Sequence, residues 1–327
     1  MCALKPTTIK VLQTTRAYPG LGTPGERLGD YAFVTDAACR EYDWLVVFDE
    51  LDGREELACP RERTVLATWE PVSIKSYTPS FVRQFGHLLT NRPPEAEGHP
   101  HTHLGRGYFY WFNGLPYAAN ATRAIPPKTA DLSMVCSAKR MRRTRHADRF
   151  RLAEAIARGV PGVAWFGHGV RPVARKHEAL DPYRYHVAVE NHIAPHHWTE
   201  KLADALLSEC LTFYAGDPLI GEVLPPECVI PIPIGDPDEA VRIIRGAIAA
   251  DEYARRLGAV REAKRLILEK YNFWAQVIAL VEGEEKGGAA APSSSPRPEF
   301  VYSRRELRRR SPRAALEEFW AHLKRGF

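Results

Sequence analysis

Residues 186–218 read HVAVENHIAPHHWTEKLADALLSECLTFYAGDP. The run His186 to Val189 predicts a buried strand that closes on the polar pair Glu190-Asn191. A His-rich loop follows. Thr199 is a suitable N-cap, and Leu202, Ala205 and Leu206 give Thr199–Ser208 the stripe of a half-buried helix. Leu211 to Tyr214 predicts a second strand, closed by Gly216. Polar groups therefore gather at one edge of a parallel sheet, where open α/β folds bind their ligands. Lys201 falls in the first turn of the helix, where the macrodipole disfavours a cation. An anion in the same place, such as a phosphate, relieves that conflict.

Working outward, strands alternate with helices. Leu132 to Cys136 predicts a strand, Asp148 to Arg158 a helix with Phe150, Leu152, Ala153 and Ile156 on one side, and Val163 to Phe166 a strand ending in Gly167-His168-Gly169. Cys228 to Pro231 reads as a short strand. Asp236–Ala250 and Glu252–Lys270 read as helices. In the first half, Thr8–Leu12, Trp44–Phe48, Thr64–Trp69 and His87–Leu89 read as strands. Trp44–Phe48 is apolar throughout, as in a strand covered on both faces. The Gly/Pro-rich Pro19–Gly29 and the polar Pro93–His103 read as irregular. Alternating strands and helices imply βαβ units and a parallel sheet. Two such halves would join near Ala121–Thr129.

The chain has 327 residues, enough for about two domains. Its 45 basic and 40 acidic residues leave a net charge of +5, too mild to call for a nucleic-acid partner. Much of that charge is local, at Lys139–Arg143 and Arg304–Arg310. The six cysteines are scattered with no CxxC pair, which favours reduced thiols and a cytoplasmic setting. MCALKPTTIKVLQ lacks the apolar core of a signal peptide. No run approaches the roughly 20 apolar residues that span a bilayer.

Val187-Ala-Val-Glu190-Asn191, then Thr199-Glu200-Lys201-Leu202, then Gly216-Asp-Pro218 resembles the α1,3/4-fucosyltransferases, glycosyltransferase family 10. That family carries a strand ending Phe-Glu-Asn-Ser, a Thr-Glu-Lys helix start, and a strand ending Gly-Ser/Ala-Pro. The resemblance runs from about Pro126 to Val277 and includes Tyr271-Asn-Phe-Trp274. In the first half, Thr68-Trp69-Glu70-Pro71 is similar to the family's Glu-Ser-Pro segment. The resemblance implies an α/β fold of the GT-B type, with two Rossmann-like domains facing across a cleft. The expected division is an acceptor-side domain at 1–125, a donor domain at 126–281, and a linker with a basic amphipathic tail at 282–327.

The implied reaction is inverting transfer of fucose from GDP-fucose to a GlcNAc-containing glycan, with α1,3 linkage. No cofactor is expected, because in this family an arginine and a lysine, not a metal, meet the charge developing on the pyrophosphate. Lys201 matches the family lysine. Arg149 matches the arginine, since Arg149-Phe-Arg-Leu152 fits its helix pattern. Glu200 would accept the ribose hydroxyls. Glu190 and Asn191 would sit at the sugar end. Inversion needs a base for the acceptor hydroxyl. Glu70, ending a strand in the other domain, is the candidate, with Asp49, Glu50 and Asp52 behind it. His192, His196 and His197 stand where the family has serine, aspartate and tyrosine. His192 and His197 thereby become candidates for contacts with phosphate or sugar.

His99, His101 and His103 are metal ligands by residue type. Lacking helical spacing, they read more simply as solvated loop residues, and no metal is expected at the site. Glu282–Pro298 has the composition of a flexible linker. Beyond it, Leu316, Phe319, Trp320 and Leu323 recur at helical spacing. That face could dock on the body or lie on an anionic membrane. With no apolar anchor, the resemblance points to a bacterial enzyme on the cytoplasmic face of the membrane, acting on a lipopolysaccharide or other surface-glycan precursor. Two readings stay open beside it: transfer from another nucleotide sugar, and a non-catalytic module whose basic tail binds membrane or polyanion.

Overall fold

The computed structural model describes residues 5–14, 27–68, 70–71, 74–92, 98–106, 111–137, 146–287 and 298–324. They form two compact units, one from 1–105 and 276–327, the other from 106–275. The sequence instead drew its boundary at 125/126 and set 282–327 apart. Packing explains the difference. Trp111 belongs to the second unit's apolar core, with Tyr117 packed against it. The Phe112 amide donates to Asp204 of that unit at 2.7 Å.

In the first unit, strands β1 (Thr7–Gln13), β2 (Arg27–Leu28), β3 (Tyr31–Val34), β4 (Trp44–Phe48), β6 (Thr64–Ala67), β7 (His87–Thr90) and β8 (Thr102–Leu104) form one sheet, ordered β2-β3-β1-β4-β6-β7-β8. β5 (Arg54–Glu56) lies outside it. All pairings are parallel except the short β2–β3 hairpin. Ile9 of β1 sits between Phe33 and Trp44. All five residues of β4 are buried, as its unbroken apolar run requires. Beneath the sheet lies a buried ion pair. Lys10 Nζ meets Glu55 at 2.7 Å and donates to the carbonyls of Ala37 at 2.9 Å and Cys39 at 2.7 Å, so its burial is fully compensated.

The second unit is a sheet of five parallel strands: β9 (Ala130–Val135), β10 (Ala164–Phe166), β11 (Tyr183–Val189), β12 (Leu211–Ala215) and β13 (Val229–Pro231). Helices His146–Gly159, Glu200–Leu207, Pro237–Ala249 and Glu252–Glu269 accompany it. Their starts follow sequence chemistry. Asp236 precedes Pro237 and accepts from the Glu239 amide at 3.0 Å, closing the first turn. Val260, Ala263 and Ile267 are the buried face of the last helix.

The helix Phe273–Lys286 returns the chain to the first unit and covers the start of the expected linker; residues 288–297 lie outside the described residues. Beyond them, β14 (Phe300–Tyr302) pairs antiparallel with β5, and Val301 enters the first unit's core. Two helices follow, Arg304–Arg310 and Pro312–Lys324. Arg304 anchors them through Glu50 at 2.6 Å and the Ser76 carbonyl at 3.1 Å. The tail therefore docks on the body, but not through the stripe the spacing suggested. Ala314 and Glu318 are buried, whereas Leu316, Phe319, Trp320 and Leu323 are exposed.

The sequence also missed β2, β3, β5, β8 and β14. β2 lies within Pro19–Gly29, read as irregular. β8 begins within Pro93–His103, the other segment read as irregular. Its Thr-His-Leu has no apolar alternation, and its pairing with β7 carries it. No helix among the described residues is long and apolar enough to cross a membrane. The five described cysteines are unbridged.

Candidate functional site

The second unit's strand order, β10-β9-β11-β12-β13, puts the first strand between the second and third. Connections leave β9 and β11 in opposite directions, which makes their carboxyl ends the topological switch point. Glu190-Asn191 follows β11 there. The helix His146–Gly159 brings Arg149 to the same place, where its Nη1 donates to Asn191 Oδ1. Asn191 is neutral, so it leaves the guanidinium charge in place, and among the described residues the buried Nε of Arg149 has no hydrogen-bond partner. Gly167 permits the close approach of the neighbouring strand end. At its φ of 143°, a Cβ would stand 2.4 Å from the Cys136 carbonyl oxygen.

Glu190 is fully buried. Its carboxylate accepts from the Thr199 amide at 2.9 Å and the Thr199 hydroxyl at 2.7 Å. Lys201 Nζ lies 3.4 Å from Glu190 Oε2, donates to Thr199 Oγ1 at 3.0 Å and pairs with Glu200 at 3.0 Å. The lysine in the first helical turn is thus held by two carboxylates and the N-cap hydroxyl. Burial is the largest influence on it and opposes its charge. Glu200 and Glu190 outweigh burial and raise its pKa, while Arg149 acts against them. Arg149 and Lys201 therefore share one electrostatic neighbourhood. Glu200 titrates below its ordinary range, because Lys201 and Lys176 together overcome its burial. Gly216 closes the floor. A Cβ there would lie 2.1 Å from the Tyr214 hydroxyl and 2.7 Å from Glu190 Cγ.

Lys176 escaped the sequence reading. It comes from the 3-10 turn Lys176–Ala179 and pairs with the fully buried Asp204 at 2.7 Å. Burial raises Asp204 to about 6 in spite of that lysine. No local pattern marks Lys176; the long connection between β10 and β11 delivers it.

The His-rich loop folds back on the turn that follows β12. His196 adopts φ 61°, and its amide donates to Asp217 Oδ1 at 3.0 Å. Asp217 Oδ1 also accepts from the Leu219 amide at 2.9 Å. His197 is buried, with its ring edge-on to His192 at 5.3 Å. Arg149, Glu190, Asn191, Glu200 and Lys201 are thus brought together by contact or field, with His192 and His197 on the adjoining loop. Of the other arginines near Arg149 in sequence, Arg151 is exposed and pairs with Asp148 on its own helix, and Arg140, Arg142, Arg143 and Arg145 lie outside the described residues.

Glu70 belongs to the first unit, beyond the carboxyl end of β6. Trp69 before it, and 72–73 after it, lie outside the described residues. Its backbone is pinned: the amide donates to the Tyr77 hydroxyl at 3.3 Å, and the carbonyl accepts from Arg92 Nε at 3.1 Å. Two of the three runners-up are engaged. Asp49 pairs with Lys75 at 2.7 Å and accepts from the Tyr77 hydroxyl, and Glu50 holds Arg304.

His101 is exposed in a bend, as expected of a solvated loop, but His99 and His103 differ. His99 is buried, with Nε2 on the Phe85 carbonyl at 3.0 Å. His103 lies in β8. Burial lowers the proton affinity of both His103 and its neighbour His87, against the pull of Glu284. Among the described residues, His87, His103 and Glu284 are spaced to hold a metal ion.

No family model matches the sequence, and no curated protein matches it. Solved structures are similar in fold. A crystal structure of α1,3-fucosyltransferase with GDP superposes with a TM-score of 0.52 over 90% of this chain and 95% of that one, at 14% identity. The α1,3-fucosyltransferase structure with GDP-fucose gives a TM-score of 0.49 over 89% and 93%, also at 14% identity. A DNA-modifying β-glucosyltransferase gives 0.46 over 84% and 98%, at 6% identity. At such identities the likeness is one of fold. With its two parallel-sheet, Rossmann-like units, the chain has the GT-B type of α/β fold.

Proposed function

We propose that this protein is an inverting glycosyltransferase that moves fucose from GDP-fucose to a GlcNAc-containing glycan, forming an α1,3 linkage. One observation carries the reading. Arg149, partnered by the neutral Asn191, shares the switch point with Lys201, so two cations are held where an open α/β sheet binds its ligand. The Glu-Asn and Thr-Glu-Lys motifs supply the family resemblance, and the fold is compatible with it.

In this mechanism the acceptor hydroxyl attacks the anomeric carbon as the bond to the GDP oxygen breaks. Glu70 takes the hydroxyl proton. Lys201 and Arg149 meet the negative charge that passes to GDP, so no divalent metal is required. Glu200, ionised by its two lysines, accepts the ribose hydroxyls. Glu190 has both oxygens engaged within the protein; it positions Thr199 and Lys201. Asn191, His192 and His197 line the sugar and phosphate side.

The tail adds a location. Trp320, Phe319 and Leu316, each more than half exposed, share a helix that follows the Arg308–Arg310 run. That pairing suits the anionic inner face of a membrane, where a lipid-linked glycan precursor would be presented.

Calorimetry with GDP, UDP and GDP-fucose, followed by a donor-hydrolysis screen, tests the donor. GDP should bind more tightly than UDP, and GDP-fucose should turn over in the presence of EDTA. Tighter binding of UDP would transfer the reading to another nucleotide sugar. Absence of turnover with every donor, together with polyanion binding lost when the exposed Arg308, Arg309 and Arg310 are changed to glutamate, would establish a non-catalytic module instead.

A further inference from the structure

His87, His103 and Glu284 meet in the first unit, whereas the proposed donor residues belong to the second. They come from β7, β8 and the helix Phe273–Lys286. His87 Nδ1 lies 3.2 Å from His103 Nε2 and 3.8 Å from Glu284 Oε1, and His103 Nε2 lies 3.7 Å from the same oxygen. A tetrahedral zinc ion with bonds of about 2.0–2.1 Å holds its ligand atoms about 3.3–3.5 Å apart. The three atoms thus already form a face of nearly the right size.

A second observation fixes the direction of the site. His87 Nε2 lies 2.8 Å from the Glu62 carbonyl oxygen. A carbonyl only accepts, so this nitrogen carries the proton, and the neutral ring presents its Nδ1 lone pair to His103 and Glu284. Metal-binding histidines are commonly oriented by such a bond from the second nitrogen. His99 is excluded from the set: its Nε2 faces the Phe85 carbonyl, and its Nδ1 accepts from the His101 amide at 3.2 Å. His87 is buried, while the His103 and Glu284 side chains are 31% and 33% exposed, which leaves an entry path.

We propose that His87 Nδ1, His103 Nε2 and the Glu284 carboxylate bind one divalent transition-metal ion of the zinc class, with the fourth position open to water. Two imidazoles select against magnesium and calcium, which take oxygen ligands. On binding, the proton that His103 Nε2 donates to His87 Nδ1 is transferred through solvent to His103 Nδ1, so that both imidazoles ligate as neutral rings. The ligands come from three separate elements, so the ion clamps β7 and the edge strand β8 to the returning helix.

The test uses the full-length chain without a histidine tag, stripped by a chelator. Calorimetric titration with zinc chloride should give one equivalent bound, and Tm should rise by several degrees. Cobalt(II) should give the strong visible absorption of a four-coordinate ion. His103→Ala and Glu284→Gln change partly exposed side chains and should keep the native circular dichroism while weakening zinc at least about tenfold. His101→Ala should leave affinity unchanged. No zinc binding, or zinc affinity unmoved by both ligand variants, overturns the proposal; so does preferential binding of magnesium. Loss of sugar transfer without loss of zinc binding would bear on the function and not on this site.

Discussion

Glu190 grips Thr199 twice, accepting the amide with one carboxylate oxygen and the hydroxyl with the other, at 2.9 and 2.7 Å. The strand end and the helix start are thereby joined into one rigid corner, and Lys201 is aimed from it. Glu190→Gln replaces one acceptor by a donor that faces another donor. The variant should lose about 1–3 kcal/mol of stability in urea unfolding. GDP affinity should fall with it, since Lys201 loses one of its two carboxylates. Retention of both would mean that the corner is set elsewhere.

The cations should act on binding. Lys201→Ala and Arg149→Ala each remove charge-assisted bonds worth about 1.5–3 kcal/mol, or roughly 10–100-fold in GDP affinity. Calorimetry on the folded variants measures this directly. An unchanged Kd for either residue would refute its role at the phosphates.

The first strands and the donor-side helices were legible because their cores leave a periodic trace. Trp44–Phe48 is bounded as expected, and Thr199 caps its helix. The motifs that single out Arg149, Glu190 and Lys201 lie within or beside such elements, and the structure brings the three side chains together. Lys176 and the His87–His103–Glu284 group were not, since each is assembled by chain segments whose approach no local pattern encodes. The tail shows the limit of periodicity itself. Its apolar spacing was read correctly as helical, but Arg304, Ala314 and Glu318 decide which face packs.

Gly216→Ala tests the floor of the corner. The added methyl would meet the Tyr214 hydroxyl and Glu190 Cγ, both in buried side chains that cannot yield freely. Overpacking of this kind costs about 1–3 kcal/mol. GDP binding should weaken in parallel, because the displaced carboxylate carries Thr199 with it. A neutral substitution in both assays would place the floor at some other contact.

Glu70→Gln separates chemistry from binding. The amide keeps the size of the side chain but cannot take a proton, so transfer should fall by about 10²–10⁴. GDP affinity should stay as in the parent. Undiminished transfer would assign the base to another carboxylate, with Asp52 the next to test because Asp49 and Glu50 are held in ion pairs.

Two buried groups oppose each other as the pH falls. His186 is buried against the Ser133 hydroxyl at 2.8 Å, and burial, with Lys176 and Lys128, depresses its pKa to about 3. Below the unfolded value of about 6.5 the unfolded chain takes up a proton that the folded chain refuses, so stability falls with acid by up to about 1.4 kcal/mol per pH unit. Asp204 has the reverse sign. Its folded pKa of about 6 lies above the unfolded value, so the folded chain binds the proton first and gains stability as the pH drops. Between about pH 6 and about pH 4.5 the two contributions nearly cancel. Asp204→Asn leaves the histidine unopposed and should lose about 2 kcal/mol more than the parent across that window. His186→Gln, which can still bond Ser133, should instead gain by a similar amount. Urea unfolding at the two ends of the window measures both slopes, and parallel curves for the three proteins would show that neither burial sets the pH response.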